Sequence, residues 1–320
     1  MSISIITVTY NSAGEIEDFI ESVRAQKESI ILWIIDNAST DNTVEIVSNL
    51  ASKYSWIKLI ASPINMGLAA ANNMPIKKIN SDFTAIINPD VILSFDALTA
   101  LKNYLLQHDD VVAVAPINVY ANGNAHTSFH KNWTLMHLVV WRIFPSFLTR
   151  RIYGKIRKYC EQNVLFASGA CILFRSMDYQ AIEGYDPEYF LTVEDACDLC
   201  IRLRQGDDGK RVVVTPAAQV THLGARSSSG LPFIVLWHGA RGSIYHFHKH
   251  YGLLVGILAY LIILLSILIR FLISIAGSIF SKQQRLSFIV NGRVILALIA
   301  HNPLLIKISP KSNYENNKCD

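Results

Sequence analysis

A chain of 320 residues with 51% hydrophobic side chains has room for one large α/β domain of about 200 to 250 residues and a smaller companion. Its formal net charge of +4 is modest, and the lack of a dense Lys/Arg tract interleaved with aromatics argues against nucleic acid as a partner. Cys160, Cys171, Cys197, Cys200 and Cys319 form an odd set without framework spacing, and the opening MSISIITVTY lacks the basic flank and cleavage site of a secretory leader, so the soluble part is expected in the reducing cytosol.

Ile3 to Thr9 is a β-branched run ending in the turn-forming Asn11-Ser12, and it reads as a first strand. Ile16, Phe19, Ile20 and Val23 recur at helical spacing, Ile31 to Ile35 reads as a second buried strand, and Asp41 or Thr43 can cap a helix carrying Val44 to Leu50. The rhythm continues with a strand at Ile57 to Ala61, a helix at Leu68 to Ile79 that must accommodate Pro75, a strand at Phe83 to Ile87 and a helix at Phe95 to Leu106. Such alternation implies a largely parallel sheet, with ligands bound beyond the carboxyl ends of its strands. The residues there are Tyr10-Asn11, Asp36-Asn37, Asn65 and Asn88-Pro89-Asp90.

Residues 121 to 162 break the rhythm with aromatic and basic side chains, among them Trp133, Trp141, Arg142 and a cluster from Arg150 to Tyr159. They read as an excursion beside the acceptor side. Order returns with Val164 to Phe174, a helix from Glu194 to Gln205, and Val212 to Val214 before Thr215-Pro216. A linker-like ARSSSG then precedes an apolar part. From Gly252 to Phe280 the only ionised side chain is Arg270, and the 18 residues Gly252 to Ile269 just reach the length of a membrane span. Basic residues flank the run on both sides, so charge does not choose an orientation, and spanning, re-entrant and interfacial arrangements all remain open. A shorter stretch, Val294 to Ile308, is interrupted by His301, Asn302 and Pro303 and suits the membrane surface.

Asp36 after the second strand, Asn88-Pro89-Asp90 after the fourth, Glu194-Asp195 opening a helix and His222 after a late strand fall in one order. Through TVTYNS, IIDNASTDNT, NMGLAAANN, IINPD, ASGACILFR, GYDPEYFLTVEDACDLCIRL and Val220-Thr221-His222, about residues 2 to 251 resemble glycosyltransferase family 2 enzymes of the GT-A fold. The similar branch contains bacterial rhamnosyltransferases of surface polysaccharide synthesis. The resemblance implies an α/β fold, Rossmann-like, with a mostly parallel central sheet and helices on both faces, over residues 1–250. An apolar, membrane-associated helical region would follow over 251–308 and a polar tail over 309–320.

The implied reaction is inverting transfer of a sugar from a nucleotide diphosphate donor, a dTDP- or UDP-sugar and by resemblance dTDP-rhamnose, to a lipid-linked or polysaccharide acceptor. It would run at the cytoplasmic face of the bacterial inner membrane. A leaving diphosphate needs a divalent cation or fixed donors. Asp90 is the hard-oxygen ligand for Mg2+ or Mn2+, and His222 matches the late histidine that completes the family's site. Asp195 is the candidate base for the acceptor hydroxyl, with Glu194 beside it as a second catalytic carboxylate. Asp36 matches the family's nucleoside-binding aspartate; Asn65, Gly67 and Asn72 match its Asn-any-Gly segment, and Tyr10 and Asn11 lie on the donor side.

Each residue also has a plainer reading. Asp90 suits a turn, His222 a hydrogen-bonded structural role, Glu194 and Asp195 a helix N-terminus, and the Asn-any-Gly segment a turn before an amphipathic helix. Asp198 either shapes the acceptor pocket or pairs with Arg202. Cys197 and Cys200 sit within one helix without a second pair, which argues against zinc. The basic cluster suits either anionic headgroups or a solvated loop. Three departures from the family pattern are Leu68 in place of a common aromatic, Asn88 in place of a first acid, which is usual in the rhamnosyltransferase-like branch, and an extended GDDGK turn. A nicotinamide dehydrogenase shares the βαβ rhythm, but the lack of a Gly-any-Gly-any-any-Gly after the first strand argues against it. A catalytically inactive membrane-bound scaffold of a polysaccharide assembly system is the remaining alternative.

Overall fold

A computed structural model of the protein describes residues 1–124, 129–144, 160–207, 209–223, 232–278, 281–301 and 303–304. The Arg150 to Tyr159 cluster, the ARSSSG linker and the 309–320 tail lie outside the described residues. The strands are β1 (Ser2–Thr9), β2 (Ser29–Asn37), β3 (Ile57–Ser62), β4 (Phe83–Ile87), β5 (Val91–Leu93), β6 (Val111–Val119), β7 (Phe129–His130), β8 (Gln162–Val164), β9 (Phe166–Ala167), β10 (Cys171–Arg175) and β11 (Arg211–His222). The helices are α1 (Ile16–Arg24), α2 (Thr43–Lys53), α3 (Leu68–Asn73), α4 (Ala97–Gln107), α5 (Leu135–Ile143), α6 (Ser176–Ala181), α7 (Glu194–Leu203), α8 (Pro232–Tyr251), α9 (Leu253–Ser278) and α10 (Lys282–Ala300).

The main sheet runs β3-β2-β1-β4-β10-β6-β11-β5, with β8 also on β11, while β7 and β9 form a separate pair. β1 is parallel to β2 and β4, β2 to β3, and β6 to β11; β10 inserts antiparallel between β4 and β6. The chain reverses direction of growth at β1, which feeds β2 and β3 on one side and β4 on the other. Such a switch point opens a crevice beyond the strand ends. Ile3, Ile5, Leu32, Ile34, Ala85 and Ile87 join Phe19, Ile20 and Val47 of α1 and α2 in one apolar cluster. The alternate positions Ile6, Ile35 and Ile86 are buried too, as parallel strands covered on both faces require.

Several sequence-based boundaries shift for local reasons. The helix expected at Leu68 to Ile79 stops at Asn73, and a short 3-10 turn at Ile76–Lys78 follows Pro75, because proline has no N–H to continue the ladder and clashes with the preceding turn. The α2 N-cap is Asn42 without a side-chain bond; Asp41 instead accepts from the Thr43 N–H at 3.1 Å and its hydroxyl at 2.5 Å. The strand glimpsed at Val212 to Val214 is twelve residues long. It passes Pro216 through a break in register between Thr215 and Gln219, the sort of irregularity where a strand tolerates proline.

The described residues divide into two compact units. One holds all eleven strands with α1 to α4, α6 and α7 from Asp195 onward; the other holds α5, residues 188–194, α8, α9 and α10. In the second unit the apolar run folds as α9, and its segment Leu253–Ile275, 23 residues of mean hydropathy 2.7, is long and apolar enough to cross a membrane. α10 begins at Lys282, earlier than the Val294 expected for the second apolar stretch. It packs antiparallel on α9, with the Phe271 and Phe288 rings stacked at 4.8 Å and the Tyr260 hydroxyl donating to the Leu298 carbonyl at 3.4 Å.

Candidate active site

At the carboxyl ends of β1 and β2, register places Thr9 beside Asp36. The Asp36 carboxylate is 1% exposed and accepts from the Thr9 hydroxyl at 3.0 Å, the Ser39 N–H at 2.9 Å and the Ser39 hydroxyl at 2.5 Å. A carboxylate has about four lone-pair sites, so Asp36 shapes the 36–40 turn as well as facing the strand ends. Asn11, at φ 52, donates its N–H to the Ser39 hydroxyl at 2.9 Å and accepts from the Thr40 N–H at 2.7 Å. Tyr10, half-buried, precedes it. The two loops are therefore stitched to each other by side chains.

The next loop is tied to the same place. Asn37 donates to Asn65 Oδ1 at 2.9 Å and accepts from the Met66 N–H at 2.9 Å, and Asn65 Oδ1 also accepts from the Gly67 N–H at 3.0 Å. Gly67 has φ 85, a conformation that L side chains rarely adopt, and it launches α3. Asn72 is buried and turns its amide back to the Leu68 carbonyl at 2.9 Å. Its neighbour Asn73, which sequence reasoning did not single out, makes the long-range link: its amide donates to the Tyr185 carbonyl at 2.6 Å, and its Oδ1 accepts from the Tyr185 N–H at 2.9 Å. A side chain that mimics a β-ladder to a segment far along the chain leaves no periodic signal.

β4 ends at Ile87, and Asn88 donates its N–H to the Ala170 carbonyl at 2.9 Å just before β10. Asp90 follows, 7% exposed. The antiparallel pairing of β5 with β11 puts His222 opposite Val91, which brings His222 Nε2 to 3.1 Å from Asp90 Oδ2. These two candidate ligands, distant in sequence, are thus adjacent. The carboxylate oxygen suits a hard cation such as Mg2+ or Mn2+, an imidazole nitrogen can complete its shell, and two protein ligands leave coordination positions for phosphate oxygens and water. Among the described residues no group of three or more His, Cys, Asp or Glu side chains forms a metal cluster.

Asp195, the second residue of α7, is buried; its Oδ1 accepts from the Ala196 N–H at 2.5 Å. Burial pushes the Tyr185 phenol well above its ordinary value, and the charge of Asp195 adds to the effect, so Tyr185 stays a neutral donor beside this carboxylate. A side chain at Gly169 would meet the Tyr185 hydroxyl oxygen at 3.5 Å, so Tyr185 lies between the β10 loop, Asn73 and Asp195. Asp198 pairs with Arg202 at 2.7 Å, its side chain fully buried. Cys200 is buried and its thiol is pushed up to about 11 by burial, which disfavours the thiolate that metals bind. Glu194 belongs to the second unit, where it accepts from the Ser243 hydroxyl at 2.6 Å and from the Thr192 hydroxyl. The two neighbouring carboxylates therefore have separate surroundings.

A mostly parallel sheet that switches at β1, with β10 inserted antiparallel and the loops gathered beyond its strand ends, has the GT-A-like fold. Residues 4–182 match the model of glycosyl transferase family 2, and the chain belongs to that family. It is 26% identical over 245 residues to the N-acetylglucosaminyl-diphospho-decaprenol L-rhamnosyltransferase of Mycobacterium tuberculosis, a match covering 71% of this chain and 78% of that protein. It is 23% identical over 228 residues to rhamnosyltransferase WbbL of Escherichia coli K12, covering 68% and 82%. In fold it is similar to the mannosyltransferase PcManGT from Pyrobaculum calidifontis in complex with GDP-Man and Mn2+, with TM-score 0.56 and 15% identity over 93% of this chain and 86% of that one. The protein is a rhamnosyltransferase-like glycosyltransferase that draws on a nucleotide-sugar donor.

Proposed function

We propose that the protein transfers rhamnose from dTDP-rhamnose, with inversion, to a lipid-linked or polysaccharide acceptor at the cytoplasmic face of the bacterial inner membrane. The observation that carries the reading is the Asp90–His222 pair at 3.1 Å, a mixed oxygen and nitrogen donor set at the edge where the parallel strands end. Rhamnosyl transfer in the names of both curated relatives, and a diphospho-decaprenol acceptor in one of them, support the sugar and the lipid. The exposed apolar face of α9, with Leu254 at 78% and Leu272 at 56%, supports membrane association.

In this scheme Asp90 and His222 hold a divalent cation, and Tyr10, Asn11, Asp36, Asn65, Gly67 and Asn72 shape and line the donor side. When bound, Mg2+ or Mn2+ neutralises charge on the diphosphate. Asp195 takes the proton of the acceptor hydroxyl, whose oxygen attacks the anomeric carbon on the face opposite the diphosphate. The carbon–oxygen bond to phosphate breaks, and the nucleoside diphosphate leaves with the electron pair. Glu194 is the second carboxylate, beside Asp195 in sequence.

The test pairs two measurements. A thermal-shift screen of detergent-purified protein is expected to show stabilisation by dTDP-rhamnose only with Mg2+ or Mn2+, and a ligand at about 100 times its dissociation constant adds roughly 2.7 kcal/mol. Asp195→Asn is expected to keep that shift and lose transfer by about 100- to 10,000-fold, the range for a general base. Undiminished turnover in the variant removes Asp195 as the base, and metal-independent stabilisation removes the cation.

A further inference from the structure

We propose that the cleft between α5 and α9 binds the diphosphate headgroup of a lipid-linked acceptor; this rests on the lipid-linked reading above and adds where that headgroup sits. The cleft, about 220 Å³, is lined by Arg142, Ile143 and Phe144 from the end of α5 and by Ser266, Ile269 and Arg270 from α9. It carries two guanidinium groups and no carboxylate.

Arg270 is the one ionised residue in a 26-residue apolar helix, a placement that is costly unless an anion or polar partner meets it. Its Nη2 donates to the Arg142 carbonyl at 3.1 Å, which holds the side chain along α5. Arg142 in turn donates from Nη2 to the Gly239 carbonyl at 3.0 Å and the Ser243 hydroxyl at 3.2 Å. Each guanidinium has five N–H donors, and each is anchored to the protein through a single nitrogen. Among the described residues neither forms an ion pair. Two neighbouring cations with donors to spare match a diphosphate, which offers several charges and paired oxygens to planar forks.

The surroundings distinguish a lipid from a soluble anion. Leu265 (51% exposed), Leu268, Ile269 and Leu272 follow one another at helical spacing along α9 beside the cleft and are exposed, a track for a hydrocarbon chain. The cleft is also joined to the catalytic peptide. The Ser243 hydroxyl that accepts from Arg142 donates to Glu194 Oε1 at 2.6 Å, and Glu194 is bonded directly to Asp195. Arg142 is therefore two hydrogen bonds from the residue that precedes the base.

The full chain is titrated with phosphatidylcholine vesicles doped with a polyprenyl diphosphate, with the same vesicles doped with phosphatidylglycerol, and with inorganic pyrophosphate. Binding is expected to be tightest on the diphosphate vesicles. Arg270→Gln, which alters an exposed side chain, is expected to lose about tenfold or more of it, with Arg270→Lys in between. Equal affinity for phosphatidylglycerol vesicles makes the cleft a general anionic patch and overturns the assignment. Equal affinity for free pyrophosphate, or an undiminished Arg270→Gln, overturns it as well. Donor binding with Mn2+ is measured on the same samples: a wild type that binds lipid diphosphate through Arg270 but no nucleotide sugar refutes the transferase scheme and leaves the cleft standing.

Discussion

The strand-bearing unit and the helical unit solve opposite problems. In the first, polar loops at the sheet edge are held by many short side-chain bonds, such as Asn37 with Asn65 and Met66, or Asn73 with Tyr185, so the architecture holds its polar groups in place and keeps water-facing surface polar. In the second, α9 exposes large apolar side chains along most of its length, while its one charged residue, Arg270, donates to the Arg142 carbonyl of α5. The difference is that the polar groups of one unit are held by hydrogen bonds within the protein, whereas the other presents a long exposed apolar face.

Substitutions can break or sharpen that contrast. The largest stability effect is expected in the strand-bearing unit from Asp198→Ala, which strands the mostly buried Arg202 guanidinium without its carboxylate and should cost about 3–5 kcal/mol by denaturant titration. Gly184→Ala comes next. Gly184 has φ +71, and an added Cβ would lie 2.4 Å from Asn73 Oδ1, so a loss of about 2–3 kcal/mol is expected together with weakened donor binding as the Asn73–Tyr185 link shifts.

In the helical unit, His238 is buried against Phe190 and its imidazole is pushed down to about 3 by burial, with Arg241 contributing. Because the unfolded chain takes up a proton near pH 6.5 and the folded one does not, stability is full above that pH and falls as pH drops from there toward 3. Melting at pH 7 and pH 5 should differ by about 2 kcal/mol through this group, and His238→Phe should flatten the dependence. The smallest effect on folding, within about 0.5 kcal/mol, is expected from Leu265→Ser on the exposed face of α9. The same variant should lower partitioning onto vesicles in a flotation assay; unchanged partitioning would mean that α9 is not the membrane contact.

Much of the first unit was legible from sequence because its strands are continuous apolar runs and its polar groups follow them directly. Asp36, Asn65 and Asp90 all stand within a few residues of a strand end, where chemistry is expected in such sheets. The antiparallel insertion of β10 between β4 and β6 was not legible, since an apolar run does not declare its direction. Asn73 was missed in favour of Asn72 because the two differ only in which way α3 turns them, and that is set by distant packing against Tyr179 and Tyr185. Glu194 looks in sequence like half of a carboxylate pair, and the fold gives it the hydroxyl groups of Thr192 and Ser243 as partners instead.

The closing of β5 onto β11 has a consequence for the order of events during synthesis. A nascent chain that has emerged only through residue 210 already contains the loops after β1, β2, β3 and β4, yet lacks the strand that delivers His222 to Asp90. The contact between Asp90 and His222 therefore forms only once the last strand has paired with β5.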